Sequence, residues 1–127
     1  MSLPRLEIKT NGLNKFTRSV SLITYGYNEE LLVREFLENA VKMLSEVAIS
    51  YELIFIDDGS TDKTNEIVKE FSENNQGVYL FTNETNKGTG YSFLRAVKEA
   101  KNDFIFWQMV DWCYDLKNIR TFLELTN

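Results

Sequence analysis

The sequence predicts a three-layer α/β/α fold built on a mainly parallel sheet. Three observations carry the prediction. Short apolar runs rich in β-branched and aromatic residues alternate with stretches of helical periodicity. The runs are separated by crossover-length segments rather than by tight hairpin turns. The unusual polar clusters all fall where an apolar run ends, and in parallel α/β sheets that is the rim where ligands bind.

The elements follow in order. Ser19 to Thr24 reads as a first strand. From Glu29 to about Val47, the residues Leu32, Val33, Phe36, Leu37, Ala40, Val41 and Leu44 recur at helical spacing, with Glu29 and Glu30 expected in the first turn, where the helix dipole favours negative charge. Tyr51 to Ile56 is a second strand running into Asp57-Asp58-Gly59-Ser60-Thr61-Asp62, where Ser60 or Thr61 is expected to cap the next helix. That helix carries Ile67, Val68 and Phe71 on one stripe and ends near Asn74-Asn75. Val78 to Phe81 is a third strand, and Asn86-Lys87-Gly88-Thr89-Gly90 leads into a helix bearing Phe93, Ala96, Val97 and Ala100. Phe104 to Val110 is apolar on both faces, so it is expected at the centre of the sheet. Leu116 to Leu125 reads as a last helix, and residues 1–18 as a polar lead-in arm.

Composition narrows the chemistry. The 127 residues include 43% hydrophobic and 26% charged, ordinary for a globular domain with a real core. A net charge of −5 argues against nucleic-acid binding, which needs a basic face. There is one cysteine, Cys113, and no histidine, so an intramolecular disulfide, a zinc cluster and Ser-His or Cys-His catalysis are all excluded. Carboxylates, hydroxyls, lysines and a hard metal ion remain. No apolar run approaches the roughly 20 residues of a membrane span, and a reducing, cytoplasmic setting is expected.

Each polar cluster has a plain and a functional reading. Asp57 and Asp58 can be solvated turn and cap residues, or one carboxylate can accept a hydrogen bond from a base or ribose. Adjacent strand residues point to opposite faces, so the two should do different jobs. In Tyr25-Gly26-Tyr27-Asn28-Glu29 the tyrosines can pack the loop or offer a flat face to a nucleobase, while Gly26 allows close backbone approach. Asn86-Lys87-Gly88-Thr89-Gly90 can be a structural loop or an anion site at a helix N-terminus. In Gln108-Met109-Val110-Asp111, Asp111 can cap a turn, or hold magnesium or manganese by hard oxygen ligation.

Taken in order, these four clusters resemble family 2 glycosyltransferases of the GT-A fold. That family shows a strand into P-x-Y-N-E, a strand into D-D-G-S-x-D, N-x-G-x-G before a helix, and a strand into D-x-D. The resemblance covers about Val20 to Ile119, and within the family it looks most like the dolichyl-phosphate mannosyltransferase group. It implies that residues 19–127 are the donor-binding portion of an inverting transferase using a UDP- or GDP-linked sugar. Tyr27 and the backbone around Tyr25 would hold the base. Glu29 and one of Asp57 and Asp58, preferentially Asp58, would bind base or ribose groups. Lys87 would lie near the diphosphate, and Asp111 would be the metal ligand for Mg2+ or Mn2+.

The chain departs from the pattern in three ways. Tyr25 replaces a proline. Met109 replaces the first acid of D-x-D, for which Gln108 is a candidate substitute, and this puts metal dependence in question. The length falls short of the family's catalytic domain, so the acceptor half, for a lipid or saccharide, and the general base are expected beyond Asn127, and the isolated chain is expected to lack turnover. A parent acting at the cytoplasmic face of a membrane would be consistent with this.

Three rivals stand beside the resemblance. A response-regulator receiver domain matches in size and charge, but its acid pair follows the first strand. An aspartate phosphatase needs a second acid where Gly59 stands. A non-catalytic relative that only binds a partner is motivated by Met109.

Overall fold

The computed structural model describes residues 19–111 together with residues 121, 124 and 125. The lead-in arm and almost all of the expected last helix lie outside the described residues. The elements are β1 (Val20–Gly26), α1 (Val33–Val47), β2 (Tyr51–Asp57), α2 (Thr64–Asn74), β3 (Val78–Thr82), α3 (Thr89–Glu99) and β4 (Phe104–Trp107). The four strands form one sheet in the order β3-β2-β1-β4, and every pairing is parallel. The strand order reverses beside β1. The chain steps from β1 out to β2 and β3, then returns to the other side of β1 as β4.

Two cores, one on each face of the sheet, explain why these segments adopt these forms. Strand residues alternate faces. Val20, Leu22, Leu53, Phe55 and Val78 meet Val33, Phe36, Leu37, Ala40 and Leu44 of α1 and Val68 and Phe71 of α2. Ile23, Tyr25, Ile54 and Ile56 face the other way and meet Ala96, Phe93 and Val97 of α3. β1 is buried along its whole length, and β2 is buried from Leu53 to Asp57. Side chains of this size contribute roughly 1.5–3 kcal/mol each when fully buried, so these two strands anchor the sheet and hold its rim rigid.

Three sequence expectations change here. β4 is not central: among the described strands it is an edge. Phe104 and Phe106 pack against the larger core, while Ile105 and Trp107 are 43% and 42% exposed on the α3 face. α3 packs mainly on β1 and β2 and leaves these β4 side chains only partly covered. Burial on both faces and pairing along both edges instead mark β1 and β2 as the centre. The first helix starts at Val33, not Glu29. The Glu29 carbonyl accepts from the amides of Leu32 and Val33, so Glu29 and Glu30 belong to a lead-in turn and Glu35 is the acid of the first helical turn. Ser60 and Thr61 do not cap α2. The N-cap position is Lys63, with no side-chain cap bond; Asp62 just before it accepts from the Thr64 amide at 2.9 Å, while Ser60 and Thr61 are engaged by Asn28.

Candidate functional site

The carboxyl rim of the sheet is assembled by the residues that the sequence singled out, and most of their hydrogen bonds run to one another. Asp57 and Asp58 are 1% and 4% exposed, and they serve opposite faces. Asp57 accepts from the Ser60 amide at 3.1 Å and from Asn65 Nδ2 at 2.7 Å, tying the turn to α2. Asp58 accepts from Asn83 Nδ2 at 2.9 Å and from the amides of Lys87 at 2.7 Å and Gly88 at 3.0 Å. Two of the backbone N–H groups that an anion-site reading of the glycine loop offers to a phosphate are thus directed at Asp58. The buried carboxylate and the orphan donors ahead of a helix satisfy each other. Gly59, between them and the cap, has φ +74°, and a Cβ there would lie 2.6 Å from the Thr85 carbonyl carbon and 2.7 Å from the Asn86 nitrogen. No side chain fits, because the 85–88 loop crosses directly over the turn.

Asn28 stitches the β1 loop to the β2 loop. It adopts φ 55°, a left-handed conformation that asparagine tolerates better than most residues. Its Oδ1 accepts from the Thr61 amide at 2.8 Å and the Asp62 amide at 3.3 Å, and its own amide donates to Ser60 Oγ at 2.9 Å. Next to it, the Glu29 amide donates to Thr64 Oγ1 at 2.8 Å and the Glu30 amide to Asp62 Oδ2 at 3.3 Å. Burial works against ionisation of Asp62, but hydrogen bonds from the Thr64 side chain and amide and from the Glu30 amide outweigh it and hold the carboxyl below its usual range.

Glu29 and Asp111 stand where the tips of β1 and β4 come together. Val110 sits beside Gly26: a Cβ on Gly26 would be 3.2 Å from Glu29 Cγ and 3.7 Å from Val110 Cγ2. The absent side chain at Gly26 is what lets Glu29 fold back over the strand end. Burial raises the Glu29 carboxyl pKa, and the charges of Asp111 and Asp62 raise it further. Carboxylates that repel at a rim are suited to a cation. Among the described residues, no group of three or more His, Cys, Asp or Glu is arranged to hold a metal. One or two carboxylates completed by phosphate oxygens and water form a typical magnesium site, so an exposed Asp111 with Glu29 beside it fits a cation that arrives with a diphosphate.

Tyr27 is 44% exposed and free to present its ring. Tyr25 is buried on the α3 face and stacks on Trp107 with ring centroids 6.2 Å apart and planes at 11°, so its side chain builds the wall rather than the floor. Burial also raises the Tyr25 pKa. Trp107 in turn meets Phe93 edge to face at 5.6 Å. Gln108 is buried, and its backbone N–H donates to the Ile23 carbonyl at 3.1 Å, extending the β1–β4 pairing. Lys87 is exposed with Nζ 5.9 Å above the Tyr91 ring. Sequence reasoning missed Asn28 as a staple, and it missed Asn83, Arg95 and Trp107 altogether. Polar residues closing a buried triangle between non-adjacent loops leave no periodic signal. An open groove of about 420 Å³ between α1 and α2 is lined by Arg34, Glu38, Phe71 and neighbours, and none of the rim residues contributes to it.

Comparison with known proteins agrees with the fold and the family resemblance. The chain is 28% identical over 106 residues to a dolichyl-phosphate beta-glucosyltransferase of Dictyostelium discoideum, covering 78% of this chain and 32% of that protein. It superimposes with a TM-score of 0.74 on the mannosyltransferase PcManGT of Pyrobaculum calidifontis in complex with GDP-Man and Mn2+, at 20% identity, over 93% of this chain and 34% of the other. With S. aureus TarS (residues 1–349) in complex with UDP the TM-score is 0.68 at 27% identity, over 84% of this chain and 32% of the other. The chain therefore spans about a third of the length of these relatives. Among the described residues no helix is long and apolar enough to cross a membrane. The family description Glycosyl transferase family 2 matches residues 21–125, from the first strand through the β4 tip and past it, and the chain belongs to that family.

Proposed function

We propose that this chain is the donor-binding part of an inverting glycosyltransferase that moves a sugar from a UDP- or GDP-linked donor to the hydroxyl of a lipid or saccharide acceptor. The observation that carries the reading is the convergence of the β1, β2 and β4 tips beside the point where the strand order reverses. Glu29 folds back over the β1 tip there, beside Val110, and the charge of Asp111 adds to burial in raising the Glu29 carboxyl pKa. Tyr27 stacks on the base, and Asp58 accepts an N–H from it. Glu29 and Gln108 face ribose and sugar hydroxyls, and Asp57 holds the turn that places Asp58. Lys87 neutralises the diphosphate. Asp111, with Glu29 beside it, holds Mg2+ or Mn2+, which when bound supplies positive charge against the diphosphate. The chain's residues orient the donor so that its anomeric carbon is open to attack. The acceptor oxygen bonds to that carbon as its bond to the diphosphate oxygen breaks, and the hydroxyl proton passes to a general base that is not assigned to any described residue. The TarS complex with UDP supports a nucleoside-diphosphate ligand for this fold. The protein acts in the cytoplasm or at the cytoplasmic face of a membrane, a reading supported by a chain with a single cysteine, which suits a reducing setting.

Met109, half-buried where the family places an acid, favours a second reading as a non-catalytic binding domain. Calorimetric titration with UDP and GDP, with and without manganese, tests the first reading. Binding of one nucleotide, strengthened by manganese and weakened again in Asp111→Asn, is expected. No heat from either nucleotide under any condition rejects the donor site and leaves the second reading.

A further inference from the structure

Asn83, at the end of β3, lies in none of the sequence clusters, yet it is 3% exposed and fully engaged. Its Nδ2 donates to Asp58 Oδ1 at 2.9 Å and to Ser92 Oγ at 2.9 Å, and its Oδ1 accepts from Arg95 Nη1 at 2.8 Å. Arg95 is itself held, since the same nitrogen donates to the Thr82 carbonyl at 2.9 Å and the guanidinium lies 5.7 Å from the Phe81 ring centroid. This fixes the sense of the Asn83 amide. Flipped, it would set its NH2 against a guanidinium and its carbonyl against a carboxylate, losing a charge-assisted bond at each end. Among the described residues, no lysine or arginine forms an ion pair with Asp58. Its orientation rests on neutral donors, and Asn83 is the one donor that comes from a side chain. A carboxylate offers four acceptor sites. Asn83 and Lys87 use two on Oδ1, and Gly88 uses one on Oδ2. One site on Oδ2 is left.

We propose, resting on the donor-site reading above, that Asn83 and Arg95 are positioning residues for base selection. Arg95 orients the Asn83 amide, and Asn83 turns Asp58 so that the remaining Oδ2 acceptor site meets a ring N–H of the base. Neither residue touches the nucleotide. The arrangement selects bases that present an N–H beside a carbonyl, as uracil and guanine do, over cytosine, whose corresponding ring nitrogen is an acceptor.

The test measures affinities of the full chain for UDP, GDP and CDP in wild type, Asn83→Ala, Arg95→Met and Arg95→Lys, with thermal melts alongside. Wild type is expected to prefer UDP or GDP over CDP. Asn83→Ala and Arg95→Met should shrink that preference about tenfold with CDP affinity nearly unchanged, and Arg95→Lys, which keeps a donor for Asn83 Oδ1, should restore most of it. Should Asn83→Ala fail to fold, the Arg95 pair decides alone, because that residue sits on the partly exposed face of α3. Equal losses for all three nucleotides, an unchanged preference, no rescue by lysine, or a wild type that binds without preference each overturn the proposal while leaving the donor site standing. A wild type that binds no nucleotide overturns both.

Discussion

Replacing Gly59 with alanine tests how the rim is built. The residue sits at φ +74°, and a left-handed conformation costs an L-residue roughly 1–2 kcal/mol. The new methyl would also lie 2.6 Å from the Thr85 carbonyl carbon, 2.7 Å from the Asn86 nitrogen and 3.0 Å from the Thr85 Cα. These are backbone atoms and cannot rotate away, so the 85–88 segment must shift bodily. Overpacking of this kind costs about 1–3 kcal/mol, for a total of about 2–5 kcal/mol. The shift also pulls Lys87 and Gly88 from Asp58, so nucleotide affinity falls with stability. Gly90 supplies the control, since it lies within α3 and a Cβ there meets nothing within 4 Å. Gly90→Ala should stabilise by about 0.5–1 kcal/mol through helix propensity alone. Urea denaturation of the three proteins measures both effects. A Gly59→Ala midpoint within error of wild type, or a Gly90→Ala protein that loses as much as Gly59→Ala, refutes the claim that backbone crossing at Gly59 holds the loop.

Three further outcomes follow from single side chains. Asp62→Ala removes the acceptor for the first α2 amide, that of Thr64, and the contact with the Glu30 amide, and should cost roughly 0.5–2 kcal/mol at neutral pH. Because the folded-state pKa of Asp62 lies below its ordinary value of 3.8, its contribution is complete above that value and is lost as pH falls through the lower folded one, so the wild-type and variant melts should converge in strong acid. Glu29→Gln should do the reverse. The folded pKa is raised, so the ionised form is a penalty that sets in as pH rises from the ordinary 4.5 through the raised value. The variant should therefore melt higher than wild type at neutral pH in the absence of divalent cation, and equally below pH 4. Thr24 is fully buried in β1 and its hydroxyl has no hydrogen-bond partner among the described residues, so Thr24→Val should stabilise by about 1 kcal/mol in thermal unfolding, and a destabilised variant would reveal a partner.

The architecture was legible in the sequence because burial writes period into it. The α1 stripe and the largely apolar runs of β1 and β2 have no other economical reading. The edge position of β4 was not legible, because an edge strand with two apolar faces has the same local pattern as a central one, and only the pairing partners distinguish them. The same holds at the helix starts. Glu29 and Glu30 look like first-turn acids, but Asn28 in a left-handed conformation bends the chain so that the helix is delayed to Val33. The polar clusters located the rim correctly, but not what each side chain touches there. The staples between Asn28 and Thr61, or Asn83 and Asp58, join residues 33 and 25 positions apart through single side chains. Nothing periodic can signal such a bond.

That density of internal bonds bears on how the motif should be probed. Asp57, Asp58, Asn28 and Asp62 would be chosen for mutagenesis as ligand-binding residues, yet each makes at least two bonds within the protein. Losing activity on mutation therefore cannot by itself identify a ligand contact, because a loosened rim lowers affinity as well. Ligand-induced stabilisation separates the two cases. A nucleotide at a hundred times its dissociation constant adds about 2.7 kcal/mol to the folded state. Tyr27 and Lys87 are exposed and make few internal contacts, so Tyr27→Ala and Lys87→Ala should leave the unliganded melting temperature nearly unchanged and erase most of the nucleotide-induced rise. Asn28→Ala should lower the unliganded melt and keep a rise once the nucleotide concentration is increased to match its weaker affinity. If Lys87→Ala instead lowers the unliganded melt as far as Asn28→Ala does, its side chain is part of the scaffold, and the diphosphate must be held by other groups.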